Sequence, residues 1–274
     1  MGRALIMSDV IACAGTSEAA RALFWEVFFF SRGRGVSLQV HFPWLENDQE
    51  VTCLEIRDPS NLESAIAALI IRAIELPNGE PVGLIGLVCV HEEWRGAGLS
   101  VELMSAAMDH AMHNGLSALV LWTQKPGIYE RHGFRFDEQE STGSIYLTNK
   151  CAVDIEYVTS DWPGSDTHDR ERGLPPFALY GQRIKSEGAE LILLGGADRV
   201  TLAEWQGEDS QVASLIQVVM AEPWIINVCA QSTLMAELTK RGFKVDLVPG
   251  AVRMIKWLTN RPSTVHPIKL IDRI

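Results

Sequence analysis

Residues 88–100, Val88-Cys89-Val90-His91-Glu92-Glu93-Trp94-Arg95-Gly96-Ala97-Gly98-Leu99-Ser100, decide how the first half of the chain is read. An apolar run of strand character ends at Val90, a polar turn with small residues follows, and a helix opens at Gly98. Such a junction can bind anions. The first NH groups of a helix have no main-chain partner, and the helix dipole places about half a positive charge there. A phosphate can therefore be held largely by main chain, and Gly96 and Gly98 let it approach with no Cβ in the way. Taken alone, the small residues are more simply explained by packing of helix against strand. The segment follows an antiparallel hairpin, which disfavours a βαβ dinucleotide site, and it lacks the Lys-Ser/Thr ending of a P-loop.

Working outward, three antiparallel strands are predicted at 51–56, 65–76 and 81–90, with Pro77-Asn78-Gly79 as the second hairpin turn. Residues 16–30 carry a helical pattern, with Thr16 or Ser17 as cap and Ser31-Arg32-Gly33 as the stop. Downstream, 98–114 reads as a helix. Its apolar stripe is Leu99, Leu103, Ala107 and Ala111, with Met104, Met108 and Met112 beside it as core. A buried strand at 118–122, a turn at Lys125-Pro126-Gly127, a short helix reaching His132 and a strand pair over 134–147 complete an α/β domain.

The second half repeats this order. Strands are expected at 191–194 and 200–205, a helix at 210–220, a strand at 223–228, a helix at 232–241, and strands at 243–247 and 252–258. In both halves a helix ends in Gly-Phe, at Gly133-Phe134 and Gly242-Phe243, a separation that suits a duplicated domain rather than a solenoid repeat. The expected domains are 1–150 and 151–274, with the boundary at 149–152 and the polar stretch 159–176 read as a loop or connection.

The net charge is −11, from 24 Lys+Arg against 35 Asp+Glu, which argues against nucleic acid as a partner. It fits attraction of a cationic or amine substrate, and it fits ordinary solubilising charge. No apolar run approaches the roughly 18 residues of a membrane span, and no secretory signal pattern is evident, so no membrane partner and a cytoplasmic location are expected. The five cysteines are scattered and never spaced as CxxC, which suggests small buried hydrophobes and neither a disulfide framework nor a zinc site. His110 and His113 share a helix face, but no third metal ligand is identifiable.

With these elements in place, Arg95-x-x-Gly98-x-Ser100 resembles the cofactor loop of the GCN5-related N-acetyltransferase family, Arg/Gln-x-x-Gly-x-Gly/Ala. Serine departs from the last position, but it is small and still presents its NH. Tyr129-Glu130-Arg131-His132-Gly133-Phe134 resembles the family's downstream Tyr-x-x-x-Gly-Phe. The resemblance implies an α+β (α/β) fold with a mixed, mostly antiparallel sheet flanked by helices, here followed by a smaller second copy. It also implies acyl transfer from acetyl-CoA or another acyl-CoA to a small amine, with no metal. Cofactor contacts would fall on Cys89, Val90, Arg95, Gly96, Ala97, Gly98, Leu99, Ser100 and Tyr129. The Val90 NH would polarise the thioester carbonyl and Tyr129 would protonate the leaving thiolate. The general base stays open among His91, Glu93 and Glu92, with Glu26 and Glu55 further candidates.

The second copy lacks this machinery. Leu238 stands four residues before Gly242, where Tyr129 stands before Gly133. The turn Glu204-Trp205-Gln206-Gly207-Glu208-Asp209 is acidic where a phosphate would need NH donors. One active site is expected, with a coenzyme A thioester and a small amine as partners; a homodimer is compatible with the sequence. The competing reading is a non-catalytic acyl-CoA-binding sensor or interaction module of the same fold.

Overall fold

The computed structural model describes residues 9–47, 49–148, 154–165, 167–229, 232–259, 265 and 268–273. The chain forms two compact units. Unit 1 comprises residues 1–137 together with 253–268 and 273–274, and unit 2 comprises 138–252 with 269–272. The boundary expected at 149–152 and Cys151 lie outside the described residues.

Unit 1 begins with β1 (Ile11–Ala14) and α1 (Glu18–Phe28). Ser17 caps the helix, its side chain accepting from the Ala20 NH at 3.1 Å. A short α2 (Leu38–His41) leads to β2 (Val51–Asp58), β3 (Asn61–Glu75) and β4 (Pro81–Val90). These three strands pair antiparallel, as the hairpin pattern predicts. Then come α3 (Leu99–His113), β5 (Ala118–Thr123) and the single turn α4 (Gly127–Glu130). The strand order is β1-β2-β3-β4-β5, and the strand beside β5 is the last one of the chain, of which Arg253–Trp257 belongs to this unit.

Side-chain alternation places a helix on each face of this sheet. α1 packs Ala20, Leu23 and Phe24 with Cys53, Ala68, Ile70, Leu87 and Cys89. Neighbouring residues Leu54, Leu69 and Ile71 point the other way and are also buried; α3 lies against β2, β3 and β4. The α3 stripe Leu99, Leu103, Ala107 and Ala111 is buried together with Met104, whereas Met112 is exposed, so the methionine row is core only at its N-terminal end.

Unit 2 takes up β6 (Arg135–Leu147) from Glu138 onward, then β7 (Val158–Trp162), α5 (Thr167–Arg172), β8 (Tyr180–Lys185), β9 (Ala189–Gly195) and β10 (Val200–Gly207). It continues through α6 (Asp209–Val219), β11 (Trp224–Cys229), α7 (Leu234–Lys240) and β12 (Phe243–Trp257) as far as Val252. β10 pairs with β11 in parallel at Val200–Leu202 and Trp224–Ile226 only. This matches β4 and β5, whose parallel pairing is confined to Val82–Leu84 and Ala118–Val120. Gly133 and Gly242 both take the left-handed conformation, at φ +82° and +84°, and Phe134 and Phe243 are both buried. The second half is a smaller copy of the first fold.

Three expectations fail for identifiable reasons. The strand pair over 134–147 is one strand, β6. Gly143, which looks like a turn residue, is glycine because a Cβ there would strike the Asp246 carbonyl. The pair over 243–258 is likewise one strand, β12, which runs through Pro249-Gly250. Finally, 159–176 is not a plain connection, since it holds most of β7 and all of α5. Four of the five β7 residues are exposed, so the strand carries no hydrophobic alternation to read.

Candidate functional site

β4 and β5 run parallel and separate after Leu84 and Val120, so β4 continues to Val90 and β5 to Thr123 without each other as partners. A notch therefore opens at the carboxyl ends of the two strands, the usual place for a ligand in a parallel sheet region. A bulge shapes its β4 side. Cys89 pairs with Ala68 but Gly86 pairs with Ile70, leaving one extra residue on β4, and Leu87 adopts φ +50°. That backbone costs a non-glycine residue on the order of 1–2 kcal/mol, and the extra residue re-aims the strand end. His91 donates to the Ile66 carbonyl at 2.8 Å. By ladder alternation, Val90 and Ala67 then form a non-hydrogen-bonded pair, and the Val90 NH and C=O point away from β3 toward the notch.

Beyond Val90 the chain makes a short 3-10 turn, Glu92–Trp94, and enters α3 through two left-handed glycines, Gly96 at φ +84° and Gly98 at φ +85°. Their conformation, not local crowding, demands glycine, because a Cβ on either would meet no atom of the described residues within 4 Å. Gly98 is the N-cap and supplies no side-chain acceptor. The NH groups of Gly96, Gly98, Leu99 and Ser100 bond no main-chain carbonyl among the described residues, and Val101 is the first to turn inward, to the Gly98 carbonyl at 2.8 Å. The result is an open, uncapped helix start of the kind that can hold phosphate.

The expected cofactor residues divide into main-chain and side-chain contributors. Cys89 and Leu99 bury their side chains, leaving main chain to contribute. Burial pushes the Cys89 thiol up to about 12, although an Ala68 backbone hydrogen bond and Arg95 act the other way, so it is no thiolate nucleophile. Arg95 is exposed, and its Nε donates to the Val90 carbonyl at 3.4 Å.

Tyr129 lies on α4, just past the carboxyl end of β5, as the 91–100 segment lies past that of β4. Its ring packs edge-on to Phe134, with centroids 6.1 Å apart. Among the described residues its hydroxyl makes no hydrogen bond, and burial raises its pKa above the usual 10.0, which keeps the phenol protonated. Gly133 ends the turn in the left-handed conformation, while the Tyr129 carbonyl accepts from the His132 NH at 2.9 Å and the Phe134 NH at 3.3 Å.

The base candidates separate clearly. Glu55 is fully buried; it accepts from Arg57 Nε at 2.8 Å and from the Ser17 hydroxyl, so its carboxylate is committed to fixing the start of α1. His91 Nε2 lies 3.6 Å from Glu26 Oε1. Both line a cavity of about 260 Å³ together with Glu93, Asp58 and Glu63. Among the described residues, four carboxylates and no Lys or Arg line it. It opens directly after Val90, and sequence reasoning could not have found it because its acidic residues come from three separate segments.

Unit 2 carries other residues at the corresponding positions, and Glu204, read from the sequence as part of a turn, lies within β10. Leu238 is fully buried. Glu204 pairs with Arg172 at 2.5 Å and with Lys269. Burial opposes its charge, but hydrogen bonds from Lys269 and Arg172 win and hold its carboxyl below the usual range.

Residues 17–134 match the sequence profile of the acetyltransferase (GNAT) family. No curated protein matches the chain significantly. The fold is similar to a GCN5-related N-acetyltransferase from Anabaena variabilis (TM-score 0.61, 11% identity, 92% of this chain and 73% of that one). It is also similar to one from Kribbella flavida (TM-score 0.60, 11% identity, 92% and 71%). A tandem GNAT protein from the clavulanic acid biosynthesis pathway aligns along nearly its whole length (TM-score 0.58, 10% identity, 93% and 99%).

Proposed function

We propose, from the match of residues 17–134 to the acetyltransferase (GNAT) family profile, that the protein transfers an acetyl or other short acyl group from acyl-CoA to a primary amine of a small acceptor. The observation that carries this reading is the uncapped start of α3 beside a β4 end whose Val90 NH is turned outward. Pyrophosphate binds the NH groups of Gly96, Gly98, Leu99 and Ser100, and the thioester carbonyl meets the Val90 NH.

The amine nitrogen attacks the carbonyl carbon and forms the C–N bond, the negative charge gathers on the oxygen held by Val90, and collapse breaks the C–S bond. Tyr129 passes its proton to the departing sulfur. The acceptor, arriving as an ammonium, gives one proton to His91 or Glu93 before it attacks, directly or by way of water, and the second N–H proton, shed as the amide forms, restores the Tyr129 phenol. The acidic cavity supports an acceptor that arrives as a cation, because its carboxylates favour a protonated amine over a neutral or anionic molecule.

Thiol release from acetyl-CoA against a library of small amines tests the reading. Cationic amines should react, and Tyr129→Phe should lower kcat about a hundredfold or more, the usual worth of a positioned proton donor. Binding of coenzyme A with no thiol release for any amine would replace the enzyme by a binding module.

A further inference from the structure

Tyr129 has no hydrogen bond at its hydroxyl among the described residues, so the placement of its phenol depends on the turn that carries it and on the edge of Phe134. That turn is anchored from far away in the chain. Lys256, in the part of β12 that belongs to unit 1, donates from Nζ to the His132 carbonyl at 2.6 Å and to Met108 Sδ on α3 at 2.8 Å. A Cβ on Gly133 would lie 3.1 Å from the same Nζ. The ammonium is thus packed directly under the His132-Gly133 peptide, where the α4 turn ends and hands the chain to the buried Phe134.

A cation is favoured at this end of a helical turn, where carbonyls are unpaired. The strand that carries Lys256 is itself well fixed: three residues earlier, Arg253 is buried and pairs with Asp137 at 2.5 Å and with the Val265 carbonyl at 3.1 Å. Lys256 therefore links β12, α3 and the Tyr129 turn. Residues 17–134, the span matching the family profile, do not contain it.

We propose that Lys256 is a positioning residue for the acid: by bonding the His132 carbonyl and bracing the turn against α3, it fixes Tyr129 at the departing sulfur. This rests on the reading of Tyr129 as proton donor. A displaced donor slows the chemical step without changing how the nucleotide end of the cofactor is held, so the loss belongs in kcat.

The test is a double-mutant cycle in the full chain, with Tyr129→Phe, Lys256→Met and the pair, following thiol release from acetyl-CoA with the best amine of the library. Lys256→Met should lower kcat about tenfold with KM for acetyl-CoA changed by less than about twofold, and Lys256→Arg should recover most of the rate. In the Tyr129→Phe background Lys256→Met should cost nothing further, because the group it positions is already gone. If Lys256→Met does not fold, Lys256→Gln takes its place in the same cycle. An unchanged kcat in Lys256→Met, or an equal loss in both backgrounds, would overturn the proposal. Loss of rate in Lys256→Met with none in Tyr129→Phe would instead count against Tyr129 as the acid.

Discussion

Replacing Gly98 by alanine separates the conformational cost of the loop from its role in binding, because the same helix carries its own control. Gly98 precedes α3 at φ +85° and Gly115 follows it at φ +69°, and a Cβ on either meets no atom of the described residues within 4 Å. Alanine in the left-handed region costs about 1–2 kcal/mol at either place. Both Gly98→Ala and Gly115→Ala should therefore melt a few degrees lower, at about 2–4 °C per kcal/mol for a chain of this size class. Coenzyme A sees only one of them. At position 98 the methyl occupies the space over the free NH groups, and loss of one hydrogen bond to a charged phosphate is worth about 1.5–3 kcal/mol. This corresponds to roughly a ten- to hundredfold rise in Kd. Calorimetric titration with coenzyme A should show that rise for Gly98→Ala and none for Gly115→Ala. Equal affinities in the two variants would refute the placement of the pyrophosphate on this loop.

Other consequences are open to simple measurements. Since burial raises the Tyr129 pKa, any alkaline fall in kcat due to its ionisation should lie above about pH 10, and the pH profile of Tyr129→Phe should lack it; a Tyr129-dependent fall near neutrality would contradict the protonated donor. Burial also raises Cys53 and Cys89, the latter to about 12. Both should resist thiol reagents at pH 8 until the protein unfolds, which mass mapping can read. The sign for stability follows: the unfolded chain loses these protons from about pH 8.5 upward while the folded chain keeps them. Their contribution is complete below that pH and is lost as pH rises toward about 12, and chemical denaturation of Cys89→Ala should show a shallower alkaline decline. Glu55→Ala strands Arg57 and frees Ser17, and should cost about 2–4 kcal/mol in the same denaturation experiment; a loss below about 1 kcal/mol would show that the buried carboxylate contributes little net stability.

The sequence was legible where local chemistry dictates backbone. Ser17, the 88–100 junction and the two Gly-Phe pairs appear in the structure as a helix cap, an uncapped helix start and two left-handed turns, because each depends on residues within a few positions of itself. The features that define the site are less local. The bulge at Leu87 has one trace in the sequence, Gly86 inside a strand, and nothing in residues 81–90 tells which way the Val90 NH will point. The acidic cavity draws on α1, the β2–β3 hairpin and the turn after β4. Lys256 reaches the Tyr129 turn across 124 residues of sequence. Pro249-Gly250 reads as a turn, yet β12 passes through it with Gln139 Nε2 donating to the Gly250 carbonyl at 2.9 Å.

A crystal structure of the full chain with coenzyme A would show where the cofactor lies. Pyrophosphate oxygens should lie within hydrogen-bond distance of the Gly98 and Ser100 NH groups, the pantetheine in the notch between β4 and β5, and the sulfur beside the Tyr129 hydroxyl. Coenzyme A bound at the start of α6, or anywhere that leaves the Gly96–Ser100 NH groups in water, would contradict this placement.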